Sequence, residues 1–293
     1  MTGDRVVVGY TATDAGADAL ALGARLGAAL GAPVHAVVVL PSPENNVSIP
    51  SAASYDRLVA DTARGWLRDA LARLGDPSGI RGHVRYAQAV SDGLVAAAEE
   101  FDAGVIVVGT GAGGPRGRHR LGTTAEELVH SAPVPVALAP EGARKIDPAA
   151  GLPRITAAIG TRPGAQALLD TAIGVARRSH APLRLLSLAG VDLPDRVDAG
   201  LTRLTGQTHA AGVLDTVRAS LPDEIAAEAV VGTGDDIEDA VSRLEWQPGE
   251  IALVGSSRLA QPRRLFLGST AGRILRALPV PMIVVPRTSE ASS

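Results

Sequence analysis

The chain has 293 residues, 46% of them apolar and only 2% aromatic, with a net charge of −3 and no cysteine. This length allows two domains with a full core each. The charge offers no broad cationic surface for nucleic acid, and the missing cysteines exclude disulfides, thiol nucleophiles and thiolate metal sites. Residues 1–5 run straight into a strand-like segment and no run of 18 apolar residues occurs, so a cytoplasmic protein without a membrane partner is expected.

In chain order, residues 6–10 read as a buried strand, followed by a turn at 11–14 and an Ala/Leu-rich helix to about Leu30. Gly31 and Pro33 end that helix, because glycine accepts the left-handed conformation past the last turn and proline cannot continue it. Residues 34–40 are a second strand and 41–50 a polar loop. A helix over 51–74 places Leu58, Ala63, Trp66, Leu67 and Leu71 near a 3.6-residue period. Both tryptophans, Trp66 and Trp246, are expected to pack. A weaker strand at 82–87 is expected toward a sheet edge, Ser91 is the expected N-cap of a helix carrying Leu94 to Phe101, and 105–109 is a fully apolar central strand ending in glycine. A short helix over 124–130 and a strand at 133–138 complete the half, with Pro133 and Pro135 confining that strand to an edge or a strand start. The Gly- and Pro-containing stretch 142–153 is the expected linker between a first domain at 1–141 and a second at 154–293.

The second half repeats this order. Strands are expected at 155–159, 183–188, 225–231, 251–255 and 279–285, and helices at 163–178, 201–221, 236–244 and 268–277. Gly255 follows Gly109, Gly268 follows Gly122 and Pro279 follows Pro133, each by 146 residues. Alternating strands and helices with short connections predict an α/β fold: two doubly wound domains, each with a parallel sheet covered by helices on both faces. The ligand crevice of such a sheet lies beyond the carboxyl ends of the strands where their order reverses, here strands one and four. The loop from Gly109 through Gly111, Gly113, Gly114 and Gly117 to Gly122 then opens a helix, an arrangement that offers backbone N–H groups to an anion.

These residues resemble the universal stress proteins in their tandem form. The likeness rests on the opening over 6–20, the glycine loop after the fourth strand and the Pro-Val-Pro closing strand, each with a counterpart in both halves. It implies five-stranded sheets of order 3-2-1-4-5 that meet through their last strands. Members that bind ATP carry Gly, two residues, Gly, nine residues, Gly, then Ser or Thr. The first half reads Gly109, Ala112, Gly122, Thr123 at these positions and the second Gly255, Arg258, Gly268, Ser269, so the middle glycine is replaced twice. The first-strand aspartate of ATP-binding members falls on Thr11 and on Ile159, with Asp14 three residues beyond Thr11.

The resemblance therefore implies a regulatory protein of the stress response that holds ATP, with Mg2+, and hydrolyses it little or not at all. Candidate contacts are Thr11, Gly109, Thr110, Ala112, Gly122, Thr123 and Thr124 in the better preserved first half, and Gly255, Arg258, Gly268, Ser269 and Thr270 in the second. The alternative is a nucleotide-free interaction module with degenerate sites that binds a protein partner or a second copy. A hydrolase ranks last, because no G-x-S-x-G elbow and no general base is offered. Arg116, Arg118, His119 and Arg120, with Arg258, Arg263 and Arg264 in the second half, read as solvated loop charges before phosphate clamps. The acidic cluster Asp235, Asp236, Glu238 and Asp239 reads as helix capping before metal binding.

Overall fold

Runs of Val, Ile and Leu too short for helices become strands buried on both faces, and the Ala/Leu-rich segments between them become the helices that cover those faces. The computed structural model describes residues 3–42, 52–75, 79–111, 119–160, 166–188, 199–257 and 264–287. The first half comprises β1 (Arg5–Gly9), α1 (Asp14–Leu30), β2 (Val34–Pro41), α2 (Ala52–Arg73), β3 (Ile80–Ala87), α3 (Val90–Glu100), β4 (Ala103–Gly109), α4 (Thr123–Ser131) and β5 (Val136–Ala139). After 3-10 turns at Ala143–Lys145 and Pro148–Ala150 come β6 (Ile155–Ala158), α5 (Gln166–Ser179), β7 (Leu183–Ser187), α6 (Ala199–Ala219), β8 (Ala227–Val231), α7 (Ile237–Ser242), β9 (Ile251–Gly255), α8 (Ser269–Ala277) and β10 (Met282–Val285).

The strands form one ten-stranded sheet in the order β3-β2-β1-β4-β5-β10-β9-β6-β7-β8. Each half thus has the order 3-2-1-4-5, with every pairing parallel except β5 against β10. That antiparallel seam joins the halves through their last strands, with Met282 opposite Leu138, Ile283 opposite Ala137 and Val284 opposite Val136. All six side chains are buried. Pro133 and Pro135 stand just before β5, where a missing N–H removes no ladder bond. One apolar layer packs α1, α2, α5 and α6 on one face, and a second packs α3, α4, α7 and α8 on the other. Each layer runs through both halves.

Local chemistry sets the helix ends. Gly31, at φ 58°, caps α1 in the left-handed conformation, and Thr13 caps its start by accepting from Gly16 N at 3.2 Å. Asp236 caps α7 by accepting from Asp239 N at 2.8 Å, and the Asp239 carboxylate accepts from Asp235 N at 2.9 Å, so part of the acidic cluster does serve the helix start.

Two expectations are corrected. Ser91 is not an N-cap: α3 begins at Val90 with Ala89 as its cap, two residues earlier than expected, and the Ser91 hydroxyl donates to Glu127 Oε2 at 2.7 Å, tying α3 to α4. Leu58 and Trp66 do not pack inward. They are 64% and 44% exposed, because Ala60, Ala63, Leu67 and Ala70 form the inner stripe of α2 and leave residues four apart on its outer face. Trp246, by contrast, donates from Nε1 to Val241 O at 3.0 Å and lies under the Arg184 guanidinium. Most of the polar loop at 41–50 and the expected helix start at Pro163 lie outside the described residues.

Candidate functional site

β1 and β4 are neighbours at the point where the strand order reverses, and their chains leave on opposite faces, β1 into α1 and β4 toward α4. This opens the crevice expected for a doubly wound sheet. A cavity of about 350 Å3 fills it, and Thr11, Gly109, Gly122, Thr123 and Thr124 all line it. Its deeper walls are apolar, from Val37 and Val39 of β2, Leu94 of α3 and Val108 of β4, with Tyr10 between them.

The glycines play different parts. A Cβ on Gly109 would stand 2.0 Å from Ala15 O, so this glycine is needed for α1 to approach the end of β4. Among the described residues a Cβ on Gly122 would meet nothing within 4 Å, and its φ of −89° suits any residue. Neither packing nor conformation asks for glycine there. Among the described residues, what its absent side chain leaves is open space at the start of α4, whose cap makes no side-chain hydrogen bond. The first N–H groups of that helix therefore face the crevice side without a side-chain acceptor.

Thr11 is exposed, with its hydroxyl 2.9 Å from that of Thr13. Asp14 is taken by Arg144, whose Nη2 donates to Oδ2 at 2.8 Å. Thr110 does not join the cavity: it is buried, and its hydroxyl donates to Ala139 O at 2.9 Å. Ala112, Gly113, Gly114, Arg116, Gly117 and Arg118 lie outside the described residues.

His119 departs from the expected solvated loop charge. The loop returns so that Gly111 N donates to Arg120 O at 2.6 Å, and His119 is carried into the seam between the halves, where it is buried. Its Nε2 donates to Val280 O, just before β10, at 2.8 Å, since a carbonyl can only accept. Its Nδ1 lies 3.4 Å from the Thr110 hydroxyl. Burial lowers the His119 pKa to about 4 against the opposing effect of the Val280 carbonyl, so the ring is neutral at neutral pH. Arg120 is the exposed neighbour.

The second half repeats the backbone and changes the chemistry. Gly268 caps α8 without a side-chain bond, and Ser269 and Thr270 are exposed on its first turn. Ser257 N donates to Phe266 O at 2.8 Å, in the manner of Gly111 and Arg120. A Cβ on Gly268 would stand 3.0 Å from Ser257 Cβ, so here the side chain of Ser257 fills space that is open at Gly122. The strand register corrects the match to Thr11: Tyr10 N donates to Val37 O and Ile159 N to Leu186 O, so the buried Ile159 answers to Tyr10, and Gly160, which has no side chain, answers to Thr11. Among the described residues Gly255 has open space around it, while Arg258 and Arg263 lie outside them. Arg264 donates to Ser131 O at 3.1 Å, and Leu265 N and Leu267 N donate to Ala132 O and Val129 O, so this loop is pinned to the end of α4.

Sequence reasoning missed the apolar walls and the burial of His119. Val37 and Val39 alternate along one strand face, which marks a strand and not a ligand slot. His119 carried no signal, because its surroundings come from residues far along the chain.

Taken together, the fold and crevice define a tandem, doubly wound α/β protein with its cavity at the strand-order reversal of the first half. The sequence model of the Universal stress protein family matches residues 3–140 and again 152–286. The chain is 31% identical over 295 residues to universal stress proteins of Mycobacterium tuberculosis and Mycobacterium bovis, with 96% of this chain and 99% of each relative covered. Similar solved structures include a universal stress protein from Archaeoglobus fulgidus, with a TM-score of 0.67 at 15% identity over 97% of this chain and 98% of that one. A protein of unknown function from Pseudomonas aeruginosa gives a TM-score of 0.58 at 17% identity over 97% of this chain and 93% of its own. At these identities the structures speak to the fold. The chain belongs to the universal stress protein family.

Proposed function

We propose that the first half holds an adenine nucleotide, ATP with Mg2+, as a regulatory ligand of a cytoplasmic stress response, and that the second half does not. The observation that carries this reading is the 350 Å3 cavity, within the size range of small-molecule pockets, which gathers Thr11, Gly109, Gly122, Thr123 and Thr124 around an apolar slot. The start of α4 and the hydroxyls of Thr123 and Thr124 would take the phosphates, helped by the positive end of the helix. Val37, Val39 and Leu94 would flank the base, and Thr11 would offer a hydroxyl to the nucleoside where relatives offer a carboxylate. Among the described residues no histidine, aspartate or glutamate lines the cavity, which favours holding the nucleotide over turning it over. Gly160, which offers no hydroxyl where the first half has Thr11, and the space taken by Ser257 argue against the second half.

The test is to purify the chain, denature it and separate the supernatant by chromatography with absorbance detection, then to follow ATP turnover by the native protein. Released adenine nucleotide and turnover at background level are expected. Turnover well above background would replace the reading with a hydrolase.

A further inference from the structure

The two halves can be compared residue by residue at the opposite end of the sheet, where the strands begin. Val6 pairs with Val34 and Val105, and Ile155 with Leu183 and Ile251, so these positions match. Arg5 then corresponds to Arg154, His35 to Arg184 and Gly104 to Glu250. The pairings of Ile80 with Val34 and of Ala227 with Leu183 match Arg81 to Glu228.

In the second half this end is closed by its own carboxylates. Glu250 is fully buried and accepts from Arg154 Nη2 and Arg184 Nη2, both at 2.8 Å, from Gln247 N at 3.0 Å and from the Thr156 hydroxyl. Glu228 accepts from Arg154 Nη1 at 3.0 Å, and the Arg184 guanidinium lies 4.5 Å over the Trp246 ring. In the first half the same framework stands without those acids. His35 stacks on Phe101 with ring centroids 4.1 Å apart and shares a 3.0 Å hydrogen bond with His83, as a basic group over an aromatic ring again. Arg5 remains, but Glu250 is replaced by Gly104, which has no side chain, and Glu228 by the cation Arg81.

Nearby acids do not make up the loss. Glu100 is held by Arg85 at 2.9 and 2.6 Å, and Asp147 accepts from Ala149 N of its own turn at 2.8 Å. The Arg5 guanidinium donates to Phe101 O at 3.0 Å, and among the described residues neither Arg5 nor Arg81 is paired with a carboxylate. The carbonyl of Leu30, at the end of α1, already accepts from Arg178. In place of the closed network is a cleft of about 980 Å3 lined by Arg5, His35, Arg81 and His83 and by the already engaged Glu100 and Asp147.

We propose that this cleft is an oxyanion site, in which a small carboxylate- or phosphate-bearing molecule takes the place that Glu250 and Glu228 fill in the second half. Arg5 and Arg81 supply charge-assisted hydrogen bonds to it, and the His35 and His83 pair supplies further donors. Burial, then His83, Arg5 and Arg81, hold the His35 imidazole below its ordinary pKa, and burial, then Arg85 and Arg81, hold that of His83, with Glu100 opposing in both, so a bound anion draws protons onto them.

The test titrates the full chain separately with citrate and with inorganic phosphate at constant ionic strength, by calorimetry and by the NMR ring signals of His35 and His83. Saturable binding of at least one at millimolar concentration or below, with both histidines shifting, is expected. Saturation by phosphate alone assigns a phosphate ligand, and by citrate alone a carboxylate. Arg81→Glu installs the second half's acid at an exposed position and should weaken binding about tenfold or more by pairing with Arg5. Arg5→Gln should do likewise, and Arg243→Gln, which removes an exposed cation of the second half, should change nothing. No saturation by either anion up to about 10 mM, or equal binding by the wild type and Arg81→Glu, would overturn the proposal.

Discussion

His119 makes a prediction that depends on its place in the seam. Burial lowers its pKa from 6.5 to about 4 in the folded chain. The unfolded chain therefore binds a proton that the folded chain refuses between these values, and stability falls as the pH falls. The contribution is fully present above about pH 6.5 and is lost toward pH 4. With about 1.4 kcal/mol for each pH unit between the two pKa values, the loss is about 3 kcal/mol. The measurement is urea unfolding of the wild type and His119→Gln at pH 7.5, 6, 5 and 4. His35 and His83 are also held low by burial but are common to both proteins, so they cancel in the difference. The wild-type advantage at pH 7.5 should shrink by about 3 kcal/mol by pH 4. A difference that does not change with pH would refute the burial of a neutral His119 against Val280.

Two further substitutions separate packing from binding. Gly109→Ala forces a methyl group to within 2.0 Å of a backbone carbonyl and should destabilise the chain by about 1–3 kcal/mol in the same unfolding assay, whether or not nucleotide is added. Arg25 is buried in α1, its Nη1 has no hydrogen-bond partner among the described residues, and burial lowers its pKa to about 10. Arg25→Met removes that uncompensated charge and should raise stability by about 1–2 kcal/mol; a loss of stability would show that the guanidinium is better satisfied than its surroundings indicate.

The strands and helices were legible because local chemistry and tertiary packing agree for them. β4 and β9 are apolar runs ending in glycine, Gly31 and Pro33 end α1, and the repeat places each second-half element opposite a first-half one. The strand order and the pairing through last strands came from the likeness to a family, and the sheet has both. The failures lie where a distant residue decides. Ser91 satisfies the rule for an N-cap, but Glu127 on another helix claims its hydroxyl. Leu58 and Trp66 fit a helical period, but a period does not say which stripe faces inward when alanines can fill the inner one. The candidate site was legible in its glycines and threonines, which share a loop and a helix start. Its apolar walls were not, since Val37, Val39 and Leu94 look like any core residues. The asymmetry at the other end of the sheet was invisible until register matched Gly104 to Glu250.

The account turns on nucleotide being held in the first half and not in the second. Calorimetric titration of ATP and Mg2+ into the wild type, Gly122→Glu and Gly268→Glu tests this directly, because a glutamate at Gly122 projects a charged side chain into open space at the start of α4. One nucleotide per chain is predicted for the wild type and for Gly268→Glu, and none for Gly122→Glu. No binding by the wild type, or equal loss from both substitutions, would contradict it.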